Sequence, residues 1–285
     1  MLSYRQLVSR RVLLAAAGAT VLSVGACGRP PHGDGEGAAA TAPEAPGDSS
    51  TVSPAAAPVP TPTPAPTPTP APAPSPAASP SAVRALDPAE NRPLLELSRD
   101  RRVVAITVDD GPDPRYTPAV LAVLRKHGIR ATFFLVGQNG AAHPALLRAI
   151  ADEGHHLANH SWSHPDLRHL PEAQVRAELQ RTSELLEKAT GRATTWFRAP
   201  GGDWAPVTMR VCSALGLRPM GWSVDPADWA RPGTAKITSR VLGAVRPGSV
   251  VLNHDGGGDR SQTVAALRAY LPVLIDRGYS FTAPP

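Results

Sequence analysis

Val103-Val104-Ala105-Ile106-Thr107-Val108-Asp109-Asp110-Gly111-Pro112 decides how the rest of the chain is read. The β-branched run over 103–108 predicts a strand, and Gly111-Pro112 predicts the turn that ends it. Asp109 and Asp110 therefore emerge where a strand runs out. Successive side chains on a strand point to opposite sides, but a turn can bring both carboxylates to one cavity, one as a metal ligand and one as a base. Taken alone, Asp, Gly and Pro are the residues turns are made of, and the stretch reads equally as a solvated turn. The choice depends on partners further along the chain.

The chain has 285 residues, of which 33 are proline, and more than half of the prolines lie at or before Pro93. The part able to bury a core is therefore the C-terminal portion, assigned here to residues 95–285, still ample for one sizeable domain. The formal charge of +5 suggests an acidic partner, but Arg5, Arg10 and Arg11 supply three of those charges ahead of Cys27. That basic balance belongs to an export signal, so no nucleic-acid partner is assigned on charge. Residues 1–26 have the layout of a secretory signal: arginines, an apolar run over 12–24, and small residues before a cysteine. Ser9-Arg10-Arg11-Val12-Leu13-Leu14 resembles a twin-arginine signal and Val24-Gly25-Ala26-Cys27 a bacterial lipobox, which makes Cys27 a lipid acceptor. Residues 27–94 are rich in Pro, Ala and Thr and nearly free of large apolar residues, so they read as a disordered tether. In polyproline II, ~60 such residues could span on the order of 100 to 190 Å. These features place the protein outside the cytoplasmic membrane, lipid-anchored in the cell envelope, with plain secretion as the alternative.

Beyond the tether, strand-like and helix-like segments alternate. Strands are expected at 103–108, 131–136, before Asn159, 195–198, 218–222, 249–252 and 279–281. Helices are expected at 118–127, 144–153, 171–191, 207–215, 237–245 and 263–277. About seven β-α units predict an α/β fold with a parallel barrel, whose chemistry gathers at the carboxyl ends of the strands. Polar clusters fall at those ends. Asn159-His160-Ser161-Trp162-Ser163-His164-Pro165 offers two imidazoles four apart, which with Asp110 would form a two-histidine, one-carboxylate ligand set. Phe197-Arg198-Ala199-Pro200-Gly201-Gly202 brings an Arg able to hold a buried carboxylate ionised. Asp225-Pro226-Ala227-Asp228-Trp229 supplies acids able to balance it. Val251-Leu252-Asn253-His254-Asp255 ends an apolar strand in a histidine, which alone reads as structural or as a general acid. His155 and His156 read as structural or surface residues, and Cys212 as a buried free thiol.

In this order the five clusters resemble the polysaccharide deacetylase family, carbohydrate esterase family 4, over about residues 103–281. The resemblance implies a distorted (β/α)7 barrel. It implies that Asp109 is the catalytic base, that Asp110, His160 and His164 hold a divalent metal, and that Arg198 orients Asp109 with Asp225 or Asp228 supporting the charges. His254 would be the general acid. Pro200 and Gly201 would contribute to the substrate site, Gly201 through its backbone N–H, and Trp229 with Leu252 would line the acetyl pocket. Zinc is the expected metal, with cobalt or manganese as alternatives. The sequence departs from the family pattern at Val108, where an aromatic is common, and at His156, where Glu is. Gly201 replaces another common aromatic, leaving either a wider groove or one filled from elsewhere, for instance by Trp204. Trp162, Trp204 and Trp229 are candidates for stacking on sugar rings. The expected activity is removal of N-acetyl groups from N-acetylhexosamine residues of a cell-wall glycan, peptidoglycan first, by a monomer. An O-acetyl ester hydrolase and a non-catalytic glycan-binding lipoprotein are the alternatives.

Overall fold

The computed structural model describes residues 91–284. The export signal, Cys27 and most of the Pro-rich tether lie outside the described residues.

Seven parallel strands form the frame: β1 (Val103–Asp109), β2 (Thr132–Leu135), β3 (His156–Asn159), β4 (Trp196–Phe197), β5 (Arg218–Pro219), β6 (Val250–His254) and β7 (Ser280–Phe281). Their order is β5-β4-β3-β2-β1-β6, with β7 pairing the start of β1. The described helices are α1 (Thr117–Lys126), α2 (Gly137–Ala142), α3 (Pro144–Asp152), α4 (Glu172–Thr190), α5 (Pro206–Ala214), α6 (Thr234–Ala244) and α7 (Ser261–Asp276). Prolines open α1, α3 and α5, where a missing N–H costs nothing. Gly191, left-handed at φ 69°, closes α4. This is the distorted (β/α)7 barrel expected from the sequence. The distortion lies at the seam between β5 and β6. There Val224 bridges Val251, while Leu94 bridges Met220 and Glu96 bridges Ser249, so the segment ahead of β1 helps to close the sheet.

Register explains where the polar groups go. On β1, Val104, Ile106 and Val108 face the helices and join Phe133, Leu135 and Val251 in the outer core. The alternate residues face the barrel interior, where Ala105, Phe134, Ala158, Trp196, Met220 and Val250 form a dry lower layer. Continuing those same interior positions upward gives Thr107 and Asp109 on β1, His160 beyond β3, Arg198 beyond β4 and His254 on β6. The period of two thus stacks an apolar floor beneath a polar ceiling at the strands' carboxyl ends.

Two elements differ in extent from the sequence reading. Strands β4 and β5 hold two residues each, because Arg198 and the chain after Pro219 turn inward to make the site. Helix α2 is unannounced by pattern, since Gly137-Gln138-Asn139-Gly140-Ala141-Ala142 has no amphipathic period.

Candidate active site

Thr107 and Asp109 leave β1 on its interior face, and Arg198 meets both. Its Nη1 donates to Asp109 Oδ1 at 2.6 Å and to Thr107 Oγ1 at 2.9 Å. The same guanidinium donates through Nε to Met220 O (3.1 Å) and through Nη2 to Gly221 O (2.8 Å). Its Cζ lies 4.0 Å from the centre of the Phe134 ring. Arg198 is fully buried and Asp109 is 2% exposed, so the pair is dry, and four of the five guanidinium N–H groups make these bonds. Burial lowers Arg198 from its usual range and the Asp109 carboxylate opposes that shift.

Asp110 belongs to a different environment. At φ 72° it leaves the strand in a left-handed turn that Asp tolerates. The turn is held from α2: Asn139 Nδ2 donates to Asp110 O (2.8 Å), and Val136 N–H to Gly111 O (2.9 Å). A side chain at Gly111 would collide with the Asp255 carboxyl packed beneath it, so the approach requires glycine. Asp255 is itself buried, takes a bond from Thr117 Oγ1 (2.6 Å), and is pushed up to about 7 by burial.

The turned carboxylate faces two imidazoles. Asp110 Oδ1 lies 3.4 Å from His160 Nε2 and 3.3 Å from His164 Nε2, and has no hydrogen-bond partner of its own. Ligand atoms of the three residues fall within 4.8 Å of one another. Donors at roughly 2.0–2.1 Å from a tetrahedral ion sit roughly 3.3–3.4 Å apart, so this spacing fits a divalent metal. Protonation states fit as well. Burial raises Asp110, but nearby His160 and the charges of His160, His254 and His164 outweigh it and hold the carboxyl at about 2. Burial and His160 lower His164, favouring the neutral, ligating imidazole. His160 Nδ1 is 2.8 Å from Arg198 O, an arrangement that puts the proton on Nδ1 and leaves the Nε2 lone pair free.

His254, at the end of β6, is oriented by Asp228. Its Nδ1 is 2.7 Å from Asp228 Oδ1, and its backbone N–H donates to Oδ2 at 2.9 Å. Thr263 Oγ1 completes the carboxylate at 2.7 Å. Burial pulls His254 down, but Asp228 outweighs it through the hydrogen bond and its charge, with help from Asp109 and Asp110, raising the imidazole to about 9. His254 is thus protonated at neutral pH, with Nδ1 tied to Asp228 and Nε2 left to face reactants.

The structure separates two acids that the sequence left as alternatives. Asp228 supports His254 and not Arg198, whose remaining donors go to main-chain carbonyls. Asp225 is exposed, accepts from Ala227 N–H (2.7 Å) in a local turn, and is not brought to the cluster. Left-handed Ala227, at the head of the 3-10 turn Asp228–Ala230, lies between the two acids and turns the chain there. Of the remaining positions, Leu252 is buried on the interior of β6, Pro200 is buried, and Trp229 is 55% exposed beside Asp228. Gly201, at φ 64°, has nothing within 4 Å of where a side chain would begin, whereas Trp204 packs among Leu167, Val211 and Cys212. The groove above Gly201 is therefore the wider alternative, not one filled by Trp204. Trp162 packs under Arg181, 3.5 Å from ring to guanidinium. His155 is buried against Phe133 and accepts Ala131 N–H, and Cys212 is a buried free thiol. Thr107 and Asn139 carry positioning bonds that no spacing in the sequence announced.

Fold and site together define a parallel α/β barrel enzyme with a candidate divalent-metal site between a buried carboxylate and a buried, charged histidine. The sequence profile described as polysaccharide deacetylase matches residues 97–220. A chitooligosaccharide deacetylase of Rhizobium leguminosarum bv. trifolii is 40% identical over 205 residues, covering 68% of this chain and 95% of that protein. A peptidoglycan-N-acetylglucosamine deacetylase of Bacillus cereus is 38% identical over 188 residues, covering 65% of this chain and 88% of that protein. Among solved structures, the Bc1960 peptidoglycan N-acetylglucosamine deacetylase superposes with a TM-score of 0.66 at 35% identity, over 67% of this chain and 90% of that one. The chain belongs to the polysaccharide deacetylase family, carbohydrate esterase family 4. It is accordingly a polysaccharide N-deacetylase, a hydrolase acting on carbon–nitrogen bonds.

Proposed function

We propose that this protein is a zinc-dependent N-deacetylase that removes acetyl groups from N-acetylhexosamine residues of a cell-wall glycan, peptidoglycan before chitin-like oligomers. The observation that carries the reading is the contrast between adjacent acids. Asp109 Oδ1 is locked to Arg198 while Asp109 Oδ2 stands 3.8 Å from His160 Nε2, and Asp110 converges with the two histidines. Zinc is favoured by the mixed imidazole and carboxylate donors. Asp110, His160 and His164 would hold a divalent ion, which would supply Lewis-acid polarisation of the acetamide carbonyl and lower the pKa of a water.

The chain's own groups supply the rest. Asp109 Oδ2, left free by the Arg198 bond to its partner oxygen, takes the proton of the attacking water. As negative charge grows on the carbonyl oxygen, the Gly201 backbone N–H donates to it. The Nε2–H of His254 then passes a proton to the departing amine, a poor leaving group that needs an acid, while Asp228 holds the resulting tautomer. Leu252 and Trp229 enclose the acetyl methyl. The open groove above Gly201 leaves room for a polymer, and exposed Trp229 offers a face for a sugar ring. Asp225 has no part in this scheme.

The relatives act on peptidoglycan and on chitooligosaccharide by their names. The sequence order of signal, Cys27, tether and catalytic domain favours the wall polymer, with a monomeric enzyme anchored through lipid on Cys27. The test is acetate release by zinc-loaded protein from peptidoglycan and from chitooligosaccharides. Release is expected from both, faster from peptidoglycan, abolished by a chelator and restored by zinc. No acetate from any N-acetylated glycan would sink the activity, and release from chitooligosaccharides alone would sink the wall assignment. For the anchor, labelled palmitate is expected on the parent protein, and Cys27→Ser should shift it from the membrane fraction to the medium.

A further inference from the structure

Between the two histidines the backbone is held in an unfavourable shape. Ser161 (φ 66°) and His164 (φ 57°) are both left-handed without being glycine, a conformation that side chains disfavour. Such a loop persists only where its surroundings over-determine it, and here they do so from two sides. Its carbonyls are fixed by the start of α2: Gly137 N–H donates to Ser161 O (3.0 Å) and Gln138 N–H to Trp162 O (2.9 Å). Its amides are fixed by one carboxylate on α4. Glu178 Oε2 accepts the N–H groups of both Trp162 and Ser163 at 2.8 Å, and Oε1 accepts Ser163 Oγ–H at 2.9 Å. One turn along α4, Arg181 stacks on the Trp162 ring, and Ser183 and the Leu179 carbonyl hold Asn159 at the head of the loop.

We propose that Glu178 is a positioning residue of the metal centre, setting its affinity for the ion by fixing the Trp162 and Ser163 peptides that space His160 from His164. Glu178 touches neither ion nor substrate and acts through the backbone. The half-buried Glu178 side chain is long enough for one oxygen, Oε2, to bridge both peptides. The inference rests on the reading that Asp110, His160 and His164 hold a divalent ion.

The experiment measures zinc affinity of the full chain by competition with a chromophoric chelator, and the visible spectrum of the cobalt-loaded protein, which reports ligand geometry. Glu178→Asp keeps the charge but is too short to reach both peptides, and is expected to weaken zinc by about 10–100-fold and to change the cobalt spectrum. Glu178→Gln loses the charge but keeps an oxygen that can accept both N–H groups, and is expected to stay within roughly threefold of the parent. Glu184→Ala, an exposed acid on the same helix, should match the parent in both readouts. Parent-like zinc affinity and spectrum in Glu178→Asp would overturn the assignment. So would a loss in Glu178→Gln as large as in Glu178→Asp, because the charge and not the reach would then matter. A parent chain that binds no zinc would instead bring down the metal reading on which the inference rests. Both Glu178 variants are polar and no larger than glutamate, and their folding is checked by urea unfolding of the zinc-free forms.

Discussion

Asp109 and Asp110 share a sequence context and almost nothing else. One is a dry partner of Arg198; the other is turned outward by a left-handed backbone toward two imidazoles. Asp109→Asn is therefore expected to keep stoichiometric zinc while turnover falls by about 10²–10⁴-fold, the usual worth of a general base. Asp110→Asn should lose metal and turnover together. Metal analysis beside acetate release checks this, and equal metal loss in the two variants would overturn the division of roles. His254 adds a pH dependence of defined sign. Its imidazole is raised from 6.5 to about 9 by Asp228, so the acid form persists through neutrality and is lost above about pH 9, where the rate should fall. The same shift gives stability that is fully present below pH 6.5 and lost as pH rises through about 9. In Asp228→Asn the alkaline limb of kcat/KM should move down by roughly 2 pH units, toward the ordinary histidine value. A limb that stays put would show that another group titrates there.

At the scale of elements, strands and long helices were legible because their apolar periods are unambiguous, and the polar clusters were legible because they follow those strands. Three things were not. Helix α2 lacks a period, yet its Asn139 and its first N–H groups hold both the Asp110 turn and the histidine loop. Asp225 and Asp228 lie in one loop, and only the left-handed Ala227 decides which of them turns inward; no residue preference signals an alanine in that conformation. The ligand roles came from family resemblance, since spacing alone left Asp109 and Asp110 interchangeable. The turn Pro200–Gly202 gives an element-scale prediction. Gly201 and Gly202 are both left-handed, so alanine strains either one. Only at Gly202 would the new carbon also meet the Trp222 ring, at 2.6 Å. Gly202→Ala should thus be less stable than Gly201→Ala by about 1–3 kcal/mol in urea unfolding. Equal losses would mean that Trp222 can swing aside.

For the whole molecule, closure of the barrel depends on residues that precede its first strand. Leu94 N–H donates to Pro219 O and Leu94 O accepts from Gly221 N–H, both at 2.9 Å; Leu97 N–H donates to Gly248 O at 2.7 Å. These bonds tie the end of β5 to the start of β6, where strand pairing is reduced to isolated bridges, and Leu94 and Leu97 pack against the cluster that includes Met220 and Val250. The seam bears on chemistry, because Met220 and Gly221 also give the two carbonyls that hold Arg198, and through it Asp109. Three hydrogen bonds at about 1 kcal/mol each, with two leucines at about 1.5–3 kcal/mol apiece when fully covered, make the segment worth on the order of 3–6 kcal/mol after allowance for partial burial. A chain starting at residue 91 should retain the stability and kcat of the longer protein on soluble substrate. One starting at residue 99 should unfold at lower urea by that margin and lose kcat more than KM, since what loosens is the Arg198–Asp109 pair and not the substrate groove. Indistinguishable unfolding curves for the two truncations would show that the barrel closes without its leading segment.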